Sequence, residues 1–117
     1  MELQEKVEFI ASFDPEGAER LKRLLGKQDA LKKGNVYGER FTDRQFRLVF
    51  TPLLDAAYDR ARILQVLADR EETVGTVAER LGMSKEAVFG SMKEMLKKNL
   101  VEIGEHRDRE AAFRRKV

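Results

Sequence analysis

The chain has no cysteine, one histidine, two prolines and no long apolar run. Without cysteine there is no disulfide, no thiolate zinc site, no iron–sulfur ligation by its own residues and no thiol catalysis. His106 is the single histidine, and a metal site needs three or four convergent ligands, so no metal is expected. No apolar stretch approaches the roughly 20 residues of a membrane span, so no membrane partner is expected. Glu2 and Glu5 follow Met1 where a secretory leader would carry basic and apolar regions. These absences lead to the expectation of a cytoplasmic protein. An excess of one charge is also missing: 23 Lys plus Arg stand against 21 Asp plus Glu, a net +2 that demands no polyanionic partner. The carboxylates are scattered at helical surface spacing, with no paired acids and no nucleophile–base set. Gly34-Asn35-Val36-Tyr37-Gly38 lacks the preceding strand and following lysine of a phosphate loop. No catalytic residue and no cofactor is therefore expected, and the chain does not read as an enzyme. Internal repeats and low-complexity segments are absent as well.

What is present is mostly helical periodicity. Leu3, Val7, Ile10 and Ala11 share a helical face. Asp14-Pro15-Glu16 starts a second helix, with Asp14 as cap and Pro15 in the first position. Leu21, Leu24 and Leu25 form its stripe and Gly26 its stop. Residues 27–41, with Gly34, Asn35 and Gly38, read as mostly loop. Thr42-Asp43-Arg44-Gln45 has the form of a capping box, followed by Phe46, Val49 and Phe50. Pro52 lacks an N–H and clashes with the preceding turn, so Thr51 is expected to cap a new helix that Pro52 begins and that ends near Asp69.

Val74 to Leu81 is a short amphipathic segment ended by Gly82. Ser84 caps the next helix, whose apolar residues Val88, Met92, Met95 and Leu96 form a core face. Leu100, Val101 and Ile103 then read as a strand, with Ala111, Ala112, Phe113 and Val117 as its partner and residues 106–110 as the turn. The expected fold is mainly α with a small β-hairpin: residues 1–56 a helical extension serving as a dimerisation or signal surface, and residues 57–117 a winged helix-turn-helix.

Residues 57–117 resemble the winged-helix core of ArsR-type and MarR-type transcription regulators. The resemblance rests on Arg60-Ala61-Arg62-Ile63-Leu64, on Val77-Ala78-Glu79-Arg80-Leu81-Gly82, on the Ser84-capped helix and on Asn99-Leu100-Val101. It implies a homodimer on double-stranded DNA, with helix 84–98 in the major groove and a wing of residues 101–116 along the backbone. It places Ser84, Lys85, Ala87, Phe89, Ser91 and Lys93 against the bases and phosphates, and Arg107 and Arg109 at the wing tip. Polar groups bond base edges or phosphates, and Ala87 or Phe89 meets a thymine methyl.

The sequence departs from that pattern. Phe89-Gly90 stands where exposed polar or basic residues are usual, Val74, Gly75 and Thr76 stand where metal-sensing relatives carry cysteines, and no helix follows the wing. An exposed phenylalanine suits a protein anchor better than a base reader. A second reading is therefore a winged-helix protein-interaction module, an adaptor that binds its partner through the Phe89 face. Folding of Phe89 back against the N-terminal helices as core is a third possibility for that side chain.

Overall fold

A computed structural model describes residues 1–28, 42–107 and 109–116. Residues 29–41, which hold most of the expected loop and the Gly34–Gly38 stretch, lie outside the described residues, as do Asp108 and Val117. The described residues form five helices and a three-stranded antiparallel sheet, a mainly helical chain. They divide into two compact units, Met1–Tyr58 and Asp59–Val117.

In the first unit, α1 (Leu3–Phe13) and α2 (Pro15–Gly26) meet at Asp14. Its N–H donates to the Ile10 carbonyl at 2.7 Å, and its Oδ1 accepts from the Gly17 N–H at 3.0 Å. One residue thus closes α1 and opens α2, which leaves Pro15 where its missing N–H costs nothing. Val7, Ile10, Ala18 and Leu21 are buried. The Phe9 ring lies edge-on to Phe13 and Tyr58, at 5.4 and 5.6 Å between centroids.

The third helix, α3 (Asp43–Val66), opens with the reciprocal bonds of a capping box. The Thr42 N–H donates to Gln45 Oε1 at 2.8 Å, and the Gln45 N–H donates to Thr42 Oγ1 at 3.1 Å. The expected break at Thr51 does not occur: α3 runs straight through Pro52. Proline removes one helical hydrogen bond, leaving the Leu48 carbonyl without its N–H. Leu48, Val49, Thr51 and Pro52 are all exposed, so water can serve that carbonyl. On the other side of the helix Phe46 and Phe50 are buried and stacked, with an interplanar angle of 15°, and this packing carries the helix across the proline.

In the second unit, Ala61, Ile63, Leu64 and Leu67 are buried together with Val77 and Ala78 of α4 (Val74–Leu81) and Val88, Met92 and Met95 of α5 (Lys85–Lys97). The link between α4 and α5 is short because its turn chemistry is complete. Gly82 takes φ +65°, open to glycine without a Cβ penalty, and the Met83 N–H donates back to the Ala78 carbonyl at 3.0 Å. The Arg62 guanidinium donates to the Leu81 carbonyl at 2.9 Å, adding a positive charge at the negative end of α4. Ser84 Oγ accepts from the Ala87 N–H at 3.1 Å and starts α5. Asn99 ends it at φ +63°, with the Leu100 N–H on the Met95 carbonyl at 2.9 Å.

The sheet has the order β1-β3-β2, from β1 (Glu72–Thr73), β2 (Val101–Arg107) and β3 (Glu110–Arg115). Residues 72–73 carry no strand pattern of their own. They are held by register against Phe113 and Ala112, and by the buried Glu72 carboxylate, which pairs with Arg70 at 3.0 Å and Arg80 at 3.6 Å. The hairpin turn is shorter than residues 106–110: Arg107 pairs with Glu110, so His106 and Arg107 belong to β2 and Glu110 to β3. Between Ile103 and His106 the register shifts, setting Gly104 and Glu105 against one residue of β3. The Glu71 carboxylate seats this bulge. It accepts from the Glu105 N–H at 3.4 Å and from Arg114 Nη1 at 3.3 Å, and it fills the space a Cβ at residue 104 would need.

Candidate nucleic-acid interface

Helix α5 supplies two rows of the sequence-derived contact residues rather than one face. Lys85, Phe89 and Lys93 are spaced by four and lie one above another, all exposed. Lys93 Nζ sits 5.2 Å from the Phe89 ring centroid, a cation–π contact that ties the upper half of the row together. Ala87 and Ser91 form a separate row. A step of two residues turns a helix by about 200°, so these two lie on the other side of the helix from Lys85 and Phe89. Lys85, Phe89 and Lys93 thus belong to one row, and Ala87 and half-buried Ser91 to another on the opposite flank of the helix. Ser84 sits at the start of α5 with its oxygen engaged as cap, and a hydroxyl that accepts in this way can also donate.

Phe89 is 50% exposed, so it is not a core residue. It borders an apolar groove of about 400 Å³ with Val74, Ala111 and Phe113 on the walls and Lys85, Glu86 and Glu110 at the edges. A cleft of about 560 Å³ adjoins it, lined among others by Thr73, Gly75, Thr76, Lys85, Arg107 and Glu110. Three elements converge here: the start of α4, the start of α5 and the tip of the β2–β3 hairpin. Gly75 makes the convergence close. A Cβ there would stand 3.4 Å from Glu110 Oε2 and 3.7 Å from Lys85 Cε. Thr73 Oγ1 accepts from the Thr76 N–H at 3.3 Å, which leaves earlier amides of α4 facing out with the positive end of the helix dipole.

The cations divide into two groups. Lys85, Arg107 and Arg109 are exposed and make no ion pair with another described residue. Arg109 takes φ +70° in the turn, so the tip is sharply bent. Arg114 serves the sheet instead: its Nε donates to Glu102 Oε1 at 2.7 Å and its Nη1 to Glu71. The Glu102 carboxylate raises its already high pKa further, and Arg114 stays charged. Lys97 pairs with Glu94 at 3.6 Å on the helix surface. Glu79, Glu86 and Glu110 temper the positive charge around the cleft, so the surface is selective in where it offers cations rather than uniformly basic.

Thr73, Thr76 and Glu110 line the cleft without having been among the sequence-derived contact residues. The Thr73-x-x-Thr76 spacing was a cap signal in plain view, whereas the place of Glu110 depends on the hairpin register. Among the described residues no group of His, Cys, Asp and Glu can hold a metal ion, and no helix is long and apolar enough to cross a membrane. No protein-family model matches the sequence and no curated protein matches it, so the functional reading rests on this arrangement of side chains.

Proposed function

We propose that the chain is a winged helix-turn-helix transcription regulator of ArsR or MarR type that binds double-stranded DNA as a homodimer. The observation that carries this reading is the set of Lys85 and Arg107 on one cleft, neither in an ion pair with another described residue, continuous with the exposed Phe89–Lys93 row. In this account α5 enters the major groove with the Lys85–Phe89–Lys93 row toward the bases, and β2–β3 is the wing. Lys85 and Arg107 neutralise phosphates on either side of the groove edge, the outward amides of α4 add a third anchor, and Arg109 follows the backbone at the tip. Phe89 packs on a thymine methyl, and Lys93 over its ring adds charge beside that contact. Ser84 donates its hydroxyl proton to a phosphate. Ala87 and Ser91, on the far flank, leave the bases to the first row. Two copies read half-sites about 34 Å apart.

A specific observation favours a second reading, a protein-interaction module. Phe89 stands half exposed at the mouth of an apolar groove, and a partner's aliphatic side chain would fit there. Selection from random duplexes separates the two. Convergence on one motif, bound by the wild type and lost in Lys85→Ala with Arg107→Ala, supports the regulator. No convergence, with duplex binding indifferent to both changes, refutes it and leaves the protein module.

A further inference from the structure

Glu110 has no task among the contacts just described, yet it stands beside both cations of the cleft. In the hairpin ladder it is the direct partner of Arg107, so the two side chains leave the sheet on the same face. Its carboxylate also approaches the start of α4. A Cβ on Gly75 would lie 3.4 Å from Glu110 Oε2 and 3.7 Å from Lys85 Cε. Lys85 and Glu110 are the two residues that line both the cleft and the apolar groove. Even so, the exposed Glu110 carboxylate makes no hydrogen bond or ion pair with another described residue. Glu72 and Glu102 of the same sheet behave differently: each holds an arginine, at 3.0 and 2.7 Å. Those two carboxylates serve the fold, and Glu110 acts on the cleft. Lys85 and Arg107 are matched there by Glu79 and Glu110, so the formal charges cancel.

We infer that Glu110 sets the selectivity of the DNA surface by holding down its attraction to duplex of any sequence. The inference rests on the reading of this cleft as a phosphate site. Nonspecific binding is supplied almost wholly by electrostatics. A loosely held duplex samples many positions, so it responds to the summed charge of the cleft, which the carboxylates cancel. A duplex docked through base contacts keeps its phosphates against Lys85 and Arg107. The nearest charges then dominate, because attraction falls with distance and is screened over about 10 Å. The carboxylate therefore weakens the nonspecific complex more than the specific one. Discrimination comes from penalising the wrong complex as well as from contacts to the right one.

Glu110→Gln tests this, since it keeps the shape and removes the charge. Fluorescence anisotropy is read on two duplexes, one selected from a random pool and one of unrelated sequence. The substitution is expected to tighten binding to the unrelated duplex about fivefold and to the selected one less than about twofold. Glu5→Gln, on exposed α1, changes the net charge equally outside the cleft and is expected to leave both affinities unchanged. Equal tightening on the two duplexes, or none, overturns the inference and leaves the wild type's selective binding, and so the regulator, in place. An equal gain from Glu5→Gln overturns it too, because net charge alone would then be acting. If wild type and Glu110→Gln both ignore duplex DNA, or both bind every sequence alike, the regulator and the inference fall together.

Discussion

Replacing Lys85 and Arg107 together by alanine tests the electrostatic part of the account quantitatively. Both side chains are exposed and neither makes an ion pair with a described residue, so removing them should change folding stability by less than about 0.5 kcal/mol. Their loss acts on binding. Each phosphate contact contributes about 0.9 to the slope of log K against log salt, so the double variant should flatten that slope by about 1.8 per chain and about 3.6 for a dimer. Between 50 and 200 mM salt the wild type should then lose roughly a hundredfold more affinity than the variant does. Fluorescence anisotropy of a labelled duplex across a salt series reads both slopes directly. Equal slopes would refute the reasoning, because they would mean that neither cation displaces a counterion and that the cleft is not where phosphate binds.

Three further changes probe the scaffold. Gly90 lies within α5 with nothing within 4 Å of a Cβ, so Gly90→Ala should stabilise the protein by roughly 0.5–1 kcal/mol in chemical denaturation. Gly82 has the same open space but a φ of +65°, so Gly82→Ala should cost about 1 kcal/mol by the same measurement. The pair isolates backbone conformation from crowding, and equal effects would contradict the turn geometry. Gly104→Ala should displace the Glu71 carboxylate from the bulge and lower the midpoint of thermal unfolding by a few degrees, an effect that Glu71→Ala in the same chain should largely absorb.

Local signals carried far in this chain. The Asp14-Pro15 start, the capping box at Thr42, the Gly82 turn and the Ser84 cap each depend on a few adjacent residues, and the structure contains all four. Pro52 was misread for the opposite reason. Its local rule breaks helices, but stacking between Phe46 and Phe50 on the far side of the helix outweighs one lost hydrogen bond on the wet side. β1 was invisible because two residues carry no alternation; their strand character comes from Ala112 and Phe113, forty residues away in sequence. The bulge at Gly104 and Glu105 likewise depends on Glu71 reaching across the sheet. In the candidate interface, the exposure of Lys85, Phe89, Arg107 and Arg109 was legible in the sequence. The place of Ala87 and Ser91 on a second row follows from the 200° turn of a two-residue step, and the part played by Gly75 emerges only when α4, α5 and the hairpin tip are brought together.

The most direct test of the central claim is amide chemical-shift mapping by NMR as duplex DNA is added to the protein. The account predicts that the largest shifts fall on Gly75 and Thr76, on Lys85, Phe89 and Lys93, and on Arg107 and Arg109, and that they fade as salt is raised. Shifts confined to other surfaces, or none at low salt, would contradict it.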